Sequence, residues 1–166
     1  MSAKRILVAA AALSLLIGCR AETQPTGSQP IAAQRSAAGL ELVPLQIRTA
    51  QGTHNFTVEV ARTVEEQARG LMFRESLAPN MGMIFPKSPP EPASFWMKNT
   101  LIPLDMIFVR PDGTIARIAV NTVPHSEEPV GVEEPVAGVL ELAGGRTVEL
   151  SINEGDRVTW PGGPRF

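Results

Sequence analysis

The side chains able to do chemistry gather in the middle of the chain. Arg74, Trp96, Lys98, Asn99 and Asp105 fall in one stretch, and Glu141 stands further on inside the apolar run Val139-Leu140-Glu141-Leu142. In an extended segment successive side chains alternate, so Phe95, Met97 and Asn99 share one face while Trp96 and Lys98 point to the other. With the first face in the core, Trp96 and Lys98 are presented together. A carboxylate inside an apolar run needs a partner, because burying an unpaired charge is strongly unfavourable. Arg74 and Lys98 are the available cations for Glu141. Two readings stay open: internal ion pairs and caps that fix loop geometry, with Trp96 in the core, or a polar pocket with an aromatic platform suited to a sugar ring. Arg74, Trp96, Lys98, Asn99, Asp105 and Glu141 are therefore the candidate binding residues. An alternative is hydrolysis using Asp105 and Glu141, or Lys98, which the distance between the carboxylates decides.

Other chemistry is weaker. Five methionines between Met72 and Met106 invite a thioether copper site. Each lies in an apolar phrase such as Gly82-Met83-Ile84-Phe85, which reads as core filling. His125-Ser126-Glu127-Glu128 and Glu133-Glu134 lack the spacing of a calcium loop and read as a solvated acidic loop. No Gly-x-Ser-x-Gly elbow exists, there is no tyrosine, and only His54 and His125 offer imidazole bases. No catalytic residue, metal ligand or cofactor is assigned.

The 166 residues are room for one ordinary domain, and 43% apolar with 19% charged residues describes a foldable chain. A net charge of -2 argues against a nucleic-acid partner. The single cysteine excludes an intramolecular disulfide. Lys4 and Arg5 precede an apolar run over residues 6–17, too short to span a bilayer, and Leu16-Ile17-Gly18-Cys19 resembles a bacterial lipobox. The expectation is a lipoprotein signal peptide over residues 1–18 and lipid on Cys19, with a Pro/Gln/Ser-containing flexible tether to residue 40. By the same resemblance, Arg20 after the cysteine favours the outer membrane, facing the periplasm. The membrane is then a partner through the lipid.

The folded part, residues 41–166, must position the candidates. Residues 42–48 and 56–60 alternate around Gln51-Gly52 as a hairpin, with Glu59 on the polar face. Thr63-Val64-Glu65-Glu66 matches a capping box and predicts a helix of two to three turns. Residues 81–85 and 93–98 read as two strands separated by the loop Lys87-Ser88-Pro89-Pro90-Glu91-Pro92. Residues 104–110 and 114–121 form a hairpin about Asp112-Gly113. Residues 124–135 read as an acidic loop and 136–143 as a late strand. Residues 146–152 suit either a strand or a short helix. The pattern predicts a mainly β domain, a compact sandwich or barrel with one or two short helices.

Several phrases resemble domain-of-unknown-function family 192. They are Glu66-Gln67-Ala68-Arg69-Gly70-Leu71-Met72-Phe73-Arg74, Gly82-Met83-Ile84-Phe85, Phe95-Trp96-Met97-Lys98-Asn99-Thr100, Pro103-Leu104-Asp105-Met106-Ile107-Phe108-Val109, Val139-Leu140-Glu141-Leu142 and Gly155-Asp156. The resemblance runs from about residue 42 to 160. It implies a small β-rich fold and frequent export, favours the helix at 146–152, and transfers no catalytic residue. Together these readings predict an envelope lipoprotein that works as a non-catalytic binding or accessory module for a glycan, peptidoglycan or protein ligand. Oligomeric state is left open.

Overall fold

Period-two burial organises the first hairpin. Val43, Leu45 and Ile47 of β1 (Glu41–Thr49) point inward, as do Phe56, Val58 and Val60 of β2 (Gly52–Val60). The strands pair antiparallel from Glu41 opposite Val60 to Thr49 opposite Gly52. This computed structural model describes residues 34–164. The signal peptide expected over residues 1–18, the lipidation expected at Cys19 and the part of the expected tether before residue 34 lie outside the described residues.

Helix α1 (Val64–Arg69) carries the expected capping box. Thr63 Oγ1 accepts from the Glu66 amide at 3.1 Å, and the Glu66 carboxylate accepts from the Thr63 amide at 2.9 Å. The helix is six residues long, shorter than the two to three turns expected, because Gly70 turns out of the helix at φ 49°.

The proline stretch departs from expectation. β3 (Met81–Phe95) is one strand, parallel to β2 and antiparallel to β6 (Val130–Ala143). Pairing jumps from Pro86 opposite Gly138 to Glu91 opposite Val136, so residues 87–90 bulge without a partner. Proline lacks the ladder donor yet keeps its predecessor extended, so the chain bulges without leaving the strand. Residues 96–98 fall past its end. The acidic loop is correspondingly shorter than predicted, since β6 begins at Val130, which lies opposite Phe95.

β4 (Leu104–Val109) and β5 (Ile115–Thr122) form the predicted hairpin, with Gly113 at φ 81° and the Asp112 carboxylate accepting from the Thr114 amide at 2.9 Å. The ambiguous stretch is helical, as α2 (Arg146–Glu149), and β7 (Arg157–Thr159) closes the order.

The result is a mainly β fold: a curled, half-barrel sheet in the order β5-β4-β6-β3-β2-β1-β7 with two short helices. Its two edge strands approach through a bridge between Thr114 and Arg157. One apolar cluster fills the curl, from Leu45, Val58, Ile84, Ile107, Leu140 and Trp160. A second, with Leu71, Met83, Phe85, Met97, Met106 and Phe108, lies on the other face under the segments that follow α1 and β3. The central strands are thus buried on both faces, and β4 is buried at every position. A polar group on their outer face must meet either a partner or a cavity.

Candidate functional site

Two carboxyl groups meet that requirement differently. The register aligns Glu59 with Met83, Met83 with Glu141, and Glu141 with Met106, one row across four strands on the outer face. Glu59 is 2% exposed, and both its oxygens take the Arg74 guanidinium, at 2.6 and 2.9 Å. Glu59 stands on the face opposite Val58, as the alternation predicts, but that face is buried here because the chain after α1 folds back over it and carries Arg74 with it.

The carboxyl of Glu141, a residue 4% exposed, has no hydrogen bond or ion pair among the described residues. Neither expected cation reaches it. Arg74 is engaged by Glu59, and Lys98 lies 3.6 Å from Glu127 and 5.1 Å over the Trp96 ring. Burial pushes the Glu141 carboxyl from its ordinary 4.5 up to about 8, so at neutral pH it is held as the neutral acid.

That acid lines a cavity of about 250 Å³. Leu71, Met72, Phe85, Phe95 and Trp96 give it apolar walls; Gln67, Ser94 and Thr100 add polar groups, and Arg69 and Lys87 add positive charge. Phe85 and Phe95 stack edge to face at 5.0 Å, which fixes that wall. Trp96 is 49% exposed at the cavity, not in the core, and presents with Lys98 as the alternation predicted.

Two loops build the rim. The Phe73 amide donates to the Asn99 carbonyl at 2.9 Å, and Asn99 Nδ2 meets the Met72 sulfur at 3.8 Å. Both residues have positive φ, 63° at Phe73 and 56° at Asn99. Asn tolerates that conformation, whereas Phe is strained in it, and such strain concentrates at functional sites. Asn99 thus holds the rim together.

Asp105 belongs elsewhere. It is fully buried opposite Leu142, whereas Glu141 is opposite Met106, so the two carboxyls lie on opposite faces of the sheet. Oδ1 accepts from the amides of Asn121 at 2.9 Å and Gly145 at 2.8 Å; Oδ2 accepts from the Thr147 amide at 2.8 Å and hydroxyl at 2.7 Å. Asp105 pins the start of α2 to the sheet and has no free lone pair facing a substrate. Of the candidates the cavity therefore brings together Trp96 and Glu141. Lys98 lies over Trp96, Asn99 ties the neighbouring loops and Arg74 engages Glu59, none of the three lining the cavity, and Asp105 is left out. An open groove of about 760 Å³ beside α2, lined by Val120, Val148 and Glu154, contains none of the candidates.

Among the described residues no group of three His, Cys, Asp or Glu side chains is placed to hold a metal ion, and no helix is long and apolar enough to cross a membrane. The model of the uncharacterized ACR family, domain-of-unknown-function family 192, matches residues 46–160. The chain belongs to this family. The matched span runs from β1 to the end of β7 and so takes in the whole Glu141 site. No curated protein matches the chain. Solved structures similar to it include the following two. One, a candidate transcription regulator from Sinorhizobium meliloti 1021, is 44% identical with a TM-score of 0.72, covering 74% of this chain and 96% of that one. The other, a protein of unknown function from Novosphingobium aromaticivorans DSM 12444, is also 44% identical with a TM-score of 0.73, covering 81% and 99%.

Sequence reasoning missed Glu59, Phe85, Phe95 and the flanking Met83 and Met106. A signal for Glu59 was available. A capped helix between two strands of one sheet must lie over a face of that sheet, and the last residues of the first strand then lie beneath it.

Proposed function

We propose that this member of the family is a lipid-anchored module of the bacterial envelope, attached through Cys19 to the outer membrane and facing the periplasm. Its Glu141 cavity binds a saccharide unit of an envelope glycan without catalysing its cleavage. The observation that supports this reading is a buried acid with no internal partner, in a cavity where half-exposed Trp96 offers a stacking surface for a sugar ring. Hydrolysis of a glycosidic bond ordinarily needs a second carboxyl group across the scissile bond. Among the described residues Glu141 is the only carboxyl lining this cavity. A net charge of -2 speaks against carrying over the regulatory role named for the Sinorhizobium protein as DNA binding.

The test is retention on purified peptidoglycan sacculi. The full chain is retained, Trp96→Ala and Glu141→Leu lose at least tenfold, and no soluble fragments appear. Unchanged retention in both variants overturns the binding site, and fragment release abolished by Glu141→Gln replaces binding with hydrolysis. Cys19→Ser moves the protein from the membrane to the soluble fraction; continued membrane association in that variant removes the anchor.

A further inference from the structure

We propose that the saccharide unit entering the Glu141 cavity is an N-acylated amino sugar, held by its amide group against the Glu141 carboxyl; this rests on the saccharide reading above. Volume sets the first limit. About 250 Å³ is smaller than the roughly 300–1,000 Å³ that encloses a drug-sized ligand, so it admits one ring substituent and part of its ring, not a length of chain.

The carboxyl sets the second. Glu141 is 96% buried and its carboxyl finds neither donor nor acceptor among the described residues. A neutral carboxylic acid has one O–H to give and a carbonyl oxygen to receive. Its occupant must therefore carry an acceptor and a donor close together, as an amide and its neighbouring ring hydroxyl do.

The walls separate the remaining classes. Besides Glu141 the polar side chains lining the cavity are Gln67, Ser94 and Thr100 with Arg69 and Lys87, and Leu71, Met72, Phe85 and Phe95 form its apolar walls. A plain sugar would push hydroxyls against these walls, at a cost of about 1–3 kcal/mol for each left unpaired, whereas an N-acyl group puts its methyl there. An ammonium would meet an uncharged acid and the positive charge of Arg69 and Lys87.

The experiment titrates the full chain in detergent micelles with N-acetylglucosamine, glucose and glucosamine, which differ only at one ring substituent. Trp96 fluorescence reports binding, since the other tryptophan, Trp160, is buried. At pH 6.5 N-acetylglucosamine binds at least tenfold more tightly than the other two. Its affinity falls as pH rises past 8, approaching tenfold per unit, because only the protonated carboxyl donates. Glu141→Gln, which keeps a donor and an acceptor, retains the preference and loses the pH dependence. Equal affinity for N-acetylglucosamine and glucose overturns this inference and leaves the saccharide reading standing. Preference for glucosamine with affinity rising through pH 8 overturns it in favour of an ammonium ligand. Binding of none of the three overturns it too, and unchanged retention of Trp96→Ala and Glu141→Leu on sacculi then removes the saccharide reading as well.

Discussion

Replacing Glu141 by Gln tests the buried acid directly through stability. In the unfolded chain this carboxyl titrates near its ordinary 4.5, and in the folded protein at about 8. Below pH 4.5 both states hold the proton and Glu141 imposes no ionisation cost. As pH rises the unfolded chain releases its proton first, so folding stability falls by about 1.4 kcal/mol per unit until the folded form also ionises near pH 8. The loss reaches about 3 kcal/mol at pH 7 and levels off at about 5 kcal/mol above pH 8. Glutamine does not titrate, so its own burial cost is the same at every pH. Urea unfolding of both proteins at pH 5, 7 and 9 should therefore show Glu141→Gln gaining on the native protein by about 4 kcal/mol between the extremes. Curves that run parallel across this range would refute the assignment of an unpartnered, desolvated acid.

Three further outcomes follow from the hydrogen bonds. Arg74→Leu leaves Glu59 buried without its cation and should cost about 3 kcal/mol in urea unfolding, the low end for a buried pair because the guanidinium is 32% exposed; adding Glu59→Leu should recover most of it. Asp105→Asn turns a donor toward the amide and hydroxyl of Thr147 and should cost about 2–3 kcal/mol, seen as a lowered Tm and faster amide exchange in α2; an unchanged Tm would remove its anchoring role. Thr63→Ala removes one half of the capping box and should cost about 1 kcal/mol by urea titration, whereas a change below about 0.3 kcal/mol would mean that α1 is held by its neighbours alone.

The sequence disclosed most where local rules act alone. Alternation across residues 42–60 and the Asp112-Gly113 turn predict the two hairpins, and Thr63 and Glu66 predict the start of α1. Prolines 89, 90 and 92 pointed to a loop because each lacks a ladder donor, yet a bulge absorbs them within β3. Val130 to Pro135 is polar enough to read as loop, and only its pairing with the end of β3 makes it strand. The candidate site divides in the same way. Trp96 and Lys98 on one side of an extended segment are a local consequence, and the structure has them in contact. Which cation meets which carboxylate is a long-range matter: Arg74 chooses Glu59 over Glu141 because β2 passes beneath it. The separation of Asp105 from Glu141 follows from the pairing register of β4 and β6, which no spacing along one strand reveals.

Floor and rim of the Glu141 cavity come from different kinds of structure. The acid stands on a doubly covered central strand, where any shift disturbs two apolar clusters, while the opening is framed by two loops joined at Phe73 and Asn99. A change of length or side chain in those loops reshapes the opening and leaves the sheet untouched. Such an architecture divides the labour between a sheet that fixes where the acid stands and loops that set the shape of the way in.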